Sequence, residues 1–237
     1  MGVFWNIQIG WIRAATVILS ALPLLVWMWV IPDSSLGHVT LDDTRWVLSR
    51  EVDGIRVYHR QLEGSPLKEL RITFSVEAGL LPILGVLRDI DAFPEWIFHC
   101  RESRLIEGSG SEIVYYHRID FPWPLADRDA VSFATYQQDP RTGIVHSLNR
   151  ALSGTLPPQD GAIRLEDMEI RWTITPTAPG QSDVVYYLRT DPAGSLPAWL
   201  INLAIDKGPV KSMQAFRDMV QRPEYASATA EGVEEYY

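Results

Sequence analysis

Residues 112–129 read EIVYYHRIDFPWPLADRD. Ile113, Tyr115, His117 and Ile119 fall on one side of an extended chain, and Val114, Tyr116, Arg118 and Asp120 on the other, so 112–121 reads as a strand. Pro122–Trp123–Pro124 ends it, because proline gives a sheet no donor, and Trp123 reads as the anchor of that turn. A second strand follows at 129–138, which makes an antiparallel pair. Arg128 and Asp129 are neighbours at its start and must face opposite ways, so they read as structural.

The same signals recur on both sides. Upstream, Asp53–Gly54 precedes the alternating run IRVYHR at 55–60, and KELRITFSV at 68–76 alternates again. Between them and the central pair, LLPILGVLRDID at 80–91 repeats Leu81, Leu84, Leu87 and Ile90 at helical spacing, and 101–107 is a further strand. Downstream come strands at 143–150, 163–175 and 183–191, then a long helix at 196–220 with a break near Gly208–Pro209. Residues 39–50 are expected to form an amphipathic helix with Leu41, Trp46 and Leu48 as its apolar contacts and Asp42 and Asp43 in its first turn. Residues 223–237 are acidic and aperiodic and are expected to be disordered. The order is α+β: a curved antiparallel sheet, and a C-terminal helix that fills its core face or roofs a cavity there.

A net charge of −9 argues against nucleic acid, which needs a basic surface, and lysine occurs only at 68, 207 and 211. Cys100 is the single cysteine, so neither an internal disulfide nor a cysteine metal cluster can form. Ser65-Pro-Leu-Lys68 has the spacing of a catalytic S-x-x-K, but Pro66 sits between two strands where that motif should open a helix. His99 and Cys100 would diverge on a strand, and no partner orients them. No metal spacing or phosphate loop is present, and no cofactor is implied.

Residues 14–31, AATVILSALPLLVWMWVI, carry no charge. At 1.5 Å per residue they span about 27 Å, close to the thickness of a bilayer core. No small-x-small cleavage site follows, so residues 1–33 are expected to be an uncleaved signal anchor rather than a signal peptide removed on secretion. Arg13 before the segment and Asp33, Asp42 and Asp43 after it place the remainder on the non-cytoplasmic side, the periplasm in a Gram-negative cell.

Three stretches resemble the StAR-related lipid-transfer (START) family. They are Asp89-Ile-Asp-Ala-Phe-Pro-Glu-Trp96, the run from Tyr115 to Asp129, and Pro192-Ala-Gly-Ser-Leu-Pro-Ala-Trp-Leu-Ile-Asn202, in the family's order and spacing. The resemblance covers residues 39–222 and implies a helix-grip fold holding one lipid in an apolar tunnel. Phospholipid-binding members can carry an arginine where this chain has Phe93, so the resemblance tilts towards a sterol-like or fatty ligand.

On that reading, Trp199, Leu200, Leu203 and Met213 of the last helix face the tunnel, as do Trp96, Ile113, Tyr115, Tyr136, Trp172 and Tyr186. His117, on the same side as Ile113, would meet one lipid hydroxyl or carbonyl. For each of them the alternative is plain core. Two rivals stand beside the carrier: an enzyme of the polyketide cyclase type, for which His117 is the candidate acid–base group, and a membrane-anchored interaction domain with no ligand.

Overall fold

In the computed structural model, residues 46–61, 68–194, 196 and 207–237 are described. The anchor segment at 14–31 and the helix positions 197–206 lie outside them. Among the described residues no helix is long and apolar enough to cross a membrane.

The chain enters as β1 (Val47–Val52), β2 (Ile55–Gln61) and β3 (Lys68–Val76). Helix α1 (Leu80–Arg88), a 3-10 turn (Ile90–Ala92) and the short α2 (Phe93–Trp96) follow. Then come β4 (Cys100–Ser109), β5 (Glu112–Ile119), β6 (Asp127–Gln138), β7 (Val145–Ala151), β8 (Ala162–Arg164), β9 (Met168–Ala178) and β10 (Gln181–Thr190). Helix α3 (Gly208–Val220) and a 3-10 turn (Pro223–Tyr225) close the order. The sheet runs β1-β2-β3-β10-β9-β7-β6-β5-β4, every neighbour antiparallel, with β8 added to β6 in parallel.

Helix α3 lies over the inner face. Val210, Met213, Phe216, Met219 and Val220 form its buried stripe. The Phe216 ring meets Phe74 of β3 at 6.1 Å, Trp96 at 5.2 Å and Trp172 of β9 at 5.4 Å. Polar staples fix its edges: Arg217 donates to the carbonyls of Ser75 and Asp53, and Ser212 Oγ accepts the Phe98 N–H. Pro209 occupies the first turn of α3, where its missing N–H costs nothing.

Four expectations are corrected. Residues 47–50 are strand, not helix: Asp53 and Gly54 both take positive φ (51° and 73°), and this tight turn folds the preceding residues back onto β2. The run at 163–175 is two strands, because β8 leaves the main path to pair with β6 before β9 begins. Trp123 anchors nothing and is 91% exposed.

The fourth is the tail, which packs instead of staying loose. Tyr225 and Val233 are buried in the main core, and the Tyr225 hydroxyl donates to Asp89. Glu235 accepts the N–H groups of Leu80 and Leu81, supplying the cap that Gly79 cannot give α1. The Tyr236 ring lies against Gly143 (φ 70°), where a side chain would have no room.

Candidate functional site

Between α3 and the sheet lies a cavity of about 230 Å³. Leu70 and Ile72 of β3, Tyr186 and Leu188 of β10, and Met213 of α3 form its apolar walls. The walls follow from strand parity: Leu70 and Ile72 lie two apart on β3, and Leu188 stands opposite Leu70 across the β3–β10 ladder. The cavity reaches the surface beside His99, Asp120 and Pro122, which are exposed.

Of the residues singled out from sequence, Tyr186 and Met213 border this cavity. From Tyr186 a chain of rings runs through Trp172, Trp96 and Phe93 to Tyr115. Tyr186 packs on Trp172 (4.8 Å), Trp172 on Trp96 (6.2 Å), Trp96 on Phe93 (5.4 Å), and Phe93 on Tyr115 (5.5 Å). These edge-on contacts suit the charge distribution of the rings. Phe93, the position where an arginine would mark a phosphate site, is therefore a buried core aromatic. Ile113 and Tyr136 lie in the same core, and Tyr136 donates its hydroxyl to the Leu87 carbonyl. Trp199, Leu200 and Leu203 lie outside the described residues. Leu70, Ile72 and Leu188 were missed, although alternation in KELRITFSV and the parity of Leu188 with Tyr186 carried the signal.

The other face of β5–β6 is buried too. Val114, Tyr116 and Val131 form a second apolar cluster closed by Leu156. The connection that carries Leu156 is pinned by Asp129, whose carboxylate accepts from Arg164 Nε at 2.8 Å and Nη2 at 2.9 Å. Arg128 points the opposite way and donates to the carbonyls of Ala126, Pro192 and Ala193, with its guanidinium 4.7 Å above the Phe121 ring. The pair is structural on both faces, each member tying a different segment to the start of β6.

Burial dominates the titration of the interior. It pushes the phenols of Tyr115, Tyr136 and Tyr186 well above their usual range and the Cys100 thiol up to about 11. It lowers His117 from 6.5 to about 4, a shift that the field of Asp129 only partly offsets. His117 is therefore neutral at physiological pH. Between those two values the unfolded chain binds the proton and the fold does not, so stability falls as pH falls. The expected loss is about 3 kcal/mol by pH 4. Thermal melts of His117→Gln should lack that share of the acid destabilisation, and identical pH profiles for both proteins would refute the assignment.

Among the described residues no cluster of three His, Cys, Asp or Glu side chains is placed to hold a metal ion. A family profile, the START domain, matches residues 33–225. The chain belongs to the START domain family.

Its relatives agree. An uncharacterised Pseudomonas aeruginosa protein is 28% identical over 186 residues, covering 78% of this chain and 91% of its own length. The mouse phosphatidylcholine transfer protein is 30% identical over 181 residues, covering 74% of this chain and 83% of its own. Among solved structures, a STAR-related lipid transfer protein fragment from Xanthomonas axonopodis superimposes with a TM-score of 0.69 at 32% identity, over 75% of this chain and 99% of that one. Human StAR-related lipid transfer protein 5, at 19% identity and TM-score 0.62 over 76% of this START chain and 86% of its own, shares the fold.

Proposed function

We propose that this START domain holds one lipid, sterol-like or fatty, between α3 and the sheet and carries it unchanged between membranes. The apolar cavity walled by Leu70, Ile72, Leu188 and Met213 carries the reading. Covering a few hundred Å² of lipid surface at about 25 cal/mol per Å² gives several kcal/mol, enough to hold a ligand without a charged contact. The kinship with proteins named for lipid transfer supports the same direction. Acid–base chemistry finds little support: Asp129, the carboxylate whose field reaches His117, is on the other face of β6 and bound to Arg164. Trp123, fully presented between Pro122 and Pro124 beside the cavity opening, is suited to enter the interfacial layer of a bilayer.

In the same proposal, residues 14–31 anchor the domain on the non-cytoplasmic side, supported by their lack of charge and by Arg13 on one flank. A reporter joined after Tyr237 should be active only outside the cytoplasm; activity inside would reverse the topology. The carrier role is tested by mixing the protein with donor vesicles holding a fluorescent sterol or fatty probe and with empty acceptors. Transfer should accelerate in proportion to protein, with the probe recovered intact. No acceleration counts against carriage, and a chemically altered probe favours the enzyme.

A further inference from the structure

The cavity is open at one end and stopped at the other, and three elements stop it at the same level. Among the described residues its lining ends at Ile72 on β3, at Tyr186 on β10 and at Met213 on α3. Ile72 and Tyr186 stand opposite each other on the ladder, and the next inward-facing pair along it is Phe74 with Val184. Both are buried. On α3 the residue about one turn beyond Met213 is Phe216, which has no exposed surface.

Rings build this closed end. Phe216 stands among them, 6.1 Å from Phe74, 5.2 Å from Trp96 and 5.4 Å from Trp172. Trp172 is the β9 ladder partner of Tyr186, so strand pairing fixes its ring directly behind the cavity wall, 4.8 Å from the Tyr186 ring. A cluster packed in this way does not yield cheaply to a ligand, because displacing one ring forfeits its contacts with all the others.

The room left in front of the cluster is about 230 Å³. A core cavity of about 150 Å³ holds one benzene ring, and drug-sized ligands take about 300–1,000 Å³, so this volume suits about ten carbon atoms. A polar head on such a chain stays in water at the mouth, beside the exposed His99 and Asp120. We propose that Phe216, seated among Phe74, Trp96 and Trp172, is an end stop that limits the ligand to a single fatty chain with about ten carbons inside, and that it shuts out sterol nuclei and two-chain lipids. The limit rests on the carrier reading and adds to it which class of lipid is carried.

The test uses the full chain in one detergent, with the free concentration of each ligand measured. Hexanoate, octanoate, decanoate, dodecanoate and tetradecanoate each displace a fluorescent fatty probe. Affinity should rise about fourfold per added methylene up to about decanoate and then level off, because further carbons remain in water at the mouth. An unbroken rise to tetradecanoate overturns the stop. Phe216→Ala should move the break to longer chains and tighten tetradecanoate about tenfold or more. Phe216→Leu should move it the same way by less, and gives the reading if circular dichroism shows the alanine variant unfolded. Ile72→Phe, which fills the cavity in front of the stop, should move the break to shorter chains. A break that stays in place in a folded Phe216 variant puts the stop elsewhere and overturns the proposal. Cholesterol and dioleoyl phosphatidylcholine, each delivered in methyl-β-cyclodextrin, should leave the probe bound. If either displaces it as well as decanoate does, the single-chain limit is overturned while the carrier reading stands. If the wild-type protein takes up neither the probe nor any of these lipids, the carrier reading itself fails, and the limit with it.

Discussion

Leu188→Trp should abolish lipid uptake while leaving the protein folded. Leu188 is part-buried on β10, on the wall of a cavity of about 230 Å³. An indole there extends into open space rather than into close-packed neighbours, so the overpacking cost should stay at or below about 1–3 kcal/mol. The ligand loses far more. Its affinity comes from apolar surface removed from water, and occlusion of a few hundred Å² forfeits several kcal/mol, a fall of about a hundredfold or more. Titration with a fluorescent fatty probe reads the loss, and circular dichroism checks the fold. A folded Leu188→Trp protein that binds as well as wild type would put the lipid elsewhere.

Asp129→Ala should be the most destabilising change on the outer side of the sheet. Asp129 is 1% exposed, and its two oxygens meet Arg164, which also donates to the carbonyls of Leu156 and Pro157. Removing the carboxylate leaves a mostly buried guanidinium without its counter-charge, at a cost of about 3–5 kcal/mol. For a domain of this size that lowers the melting temperature by about 10 °C. It should also loosen the segment that seats Leu156 over Val114 and Tyr116. Replacing both partners, as Asp129→Leu with Arg164→Met, should recover much of the loss, because the burial of an ion pair contributes little net stability. A single-variant cost below about 1 kcal/mol would show the pair to be solvated in solution.

The strands were legible wherever alternation was strong. IRVYHR and KELRITFSV became β2 and β3 almost residue for residue, and the proline-bounded pair around 112–138 became β5 and β6. What sequence reasoning lost was what the third dimension decides. β1 looked helical because Leu41 and Leu48 are seven residues apart, about two helical turns, with Asp42 and Asp43 suited to a first turn, and the Asp53–Gly54 turn decides for the strand. The tail carries no periodicity; it is held by single side chains, Tyr225, Val233 and Glu235, each meeting a partner far away in sequence. Tyr116 was assigned to an outer face, yet the chain that returns through Leu156 buries it fully.

The candidate site divided in the same way. Parity identified Tyr186, Tyr115 and His117 as inward, because each strand has one core side. It could not separate cavity wall from packed core, since both are apolar on the same face. Ser132 and Asn149 escaped notice because a serine or asparagine in a strand usually marks an exposed position. Both are buried on the inner face of β6 and β7, and burial is not something a sequence displays.

Mass spectrometry of the wild-type chain in its native state is the most direct test of the central claim. The protein should carry one lipid per chain, released as a single neutral loss, and the delipidated chain should take up one equivalent again. A spectrum of bare polypeptide before and after incubation with sterols and fatty lipids would contradict the account.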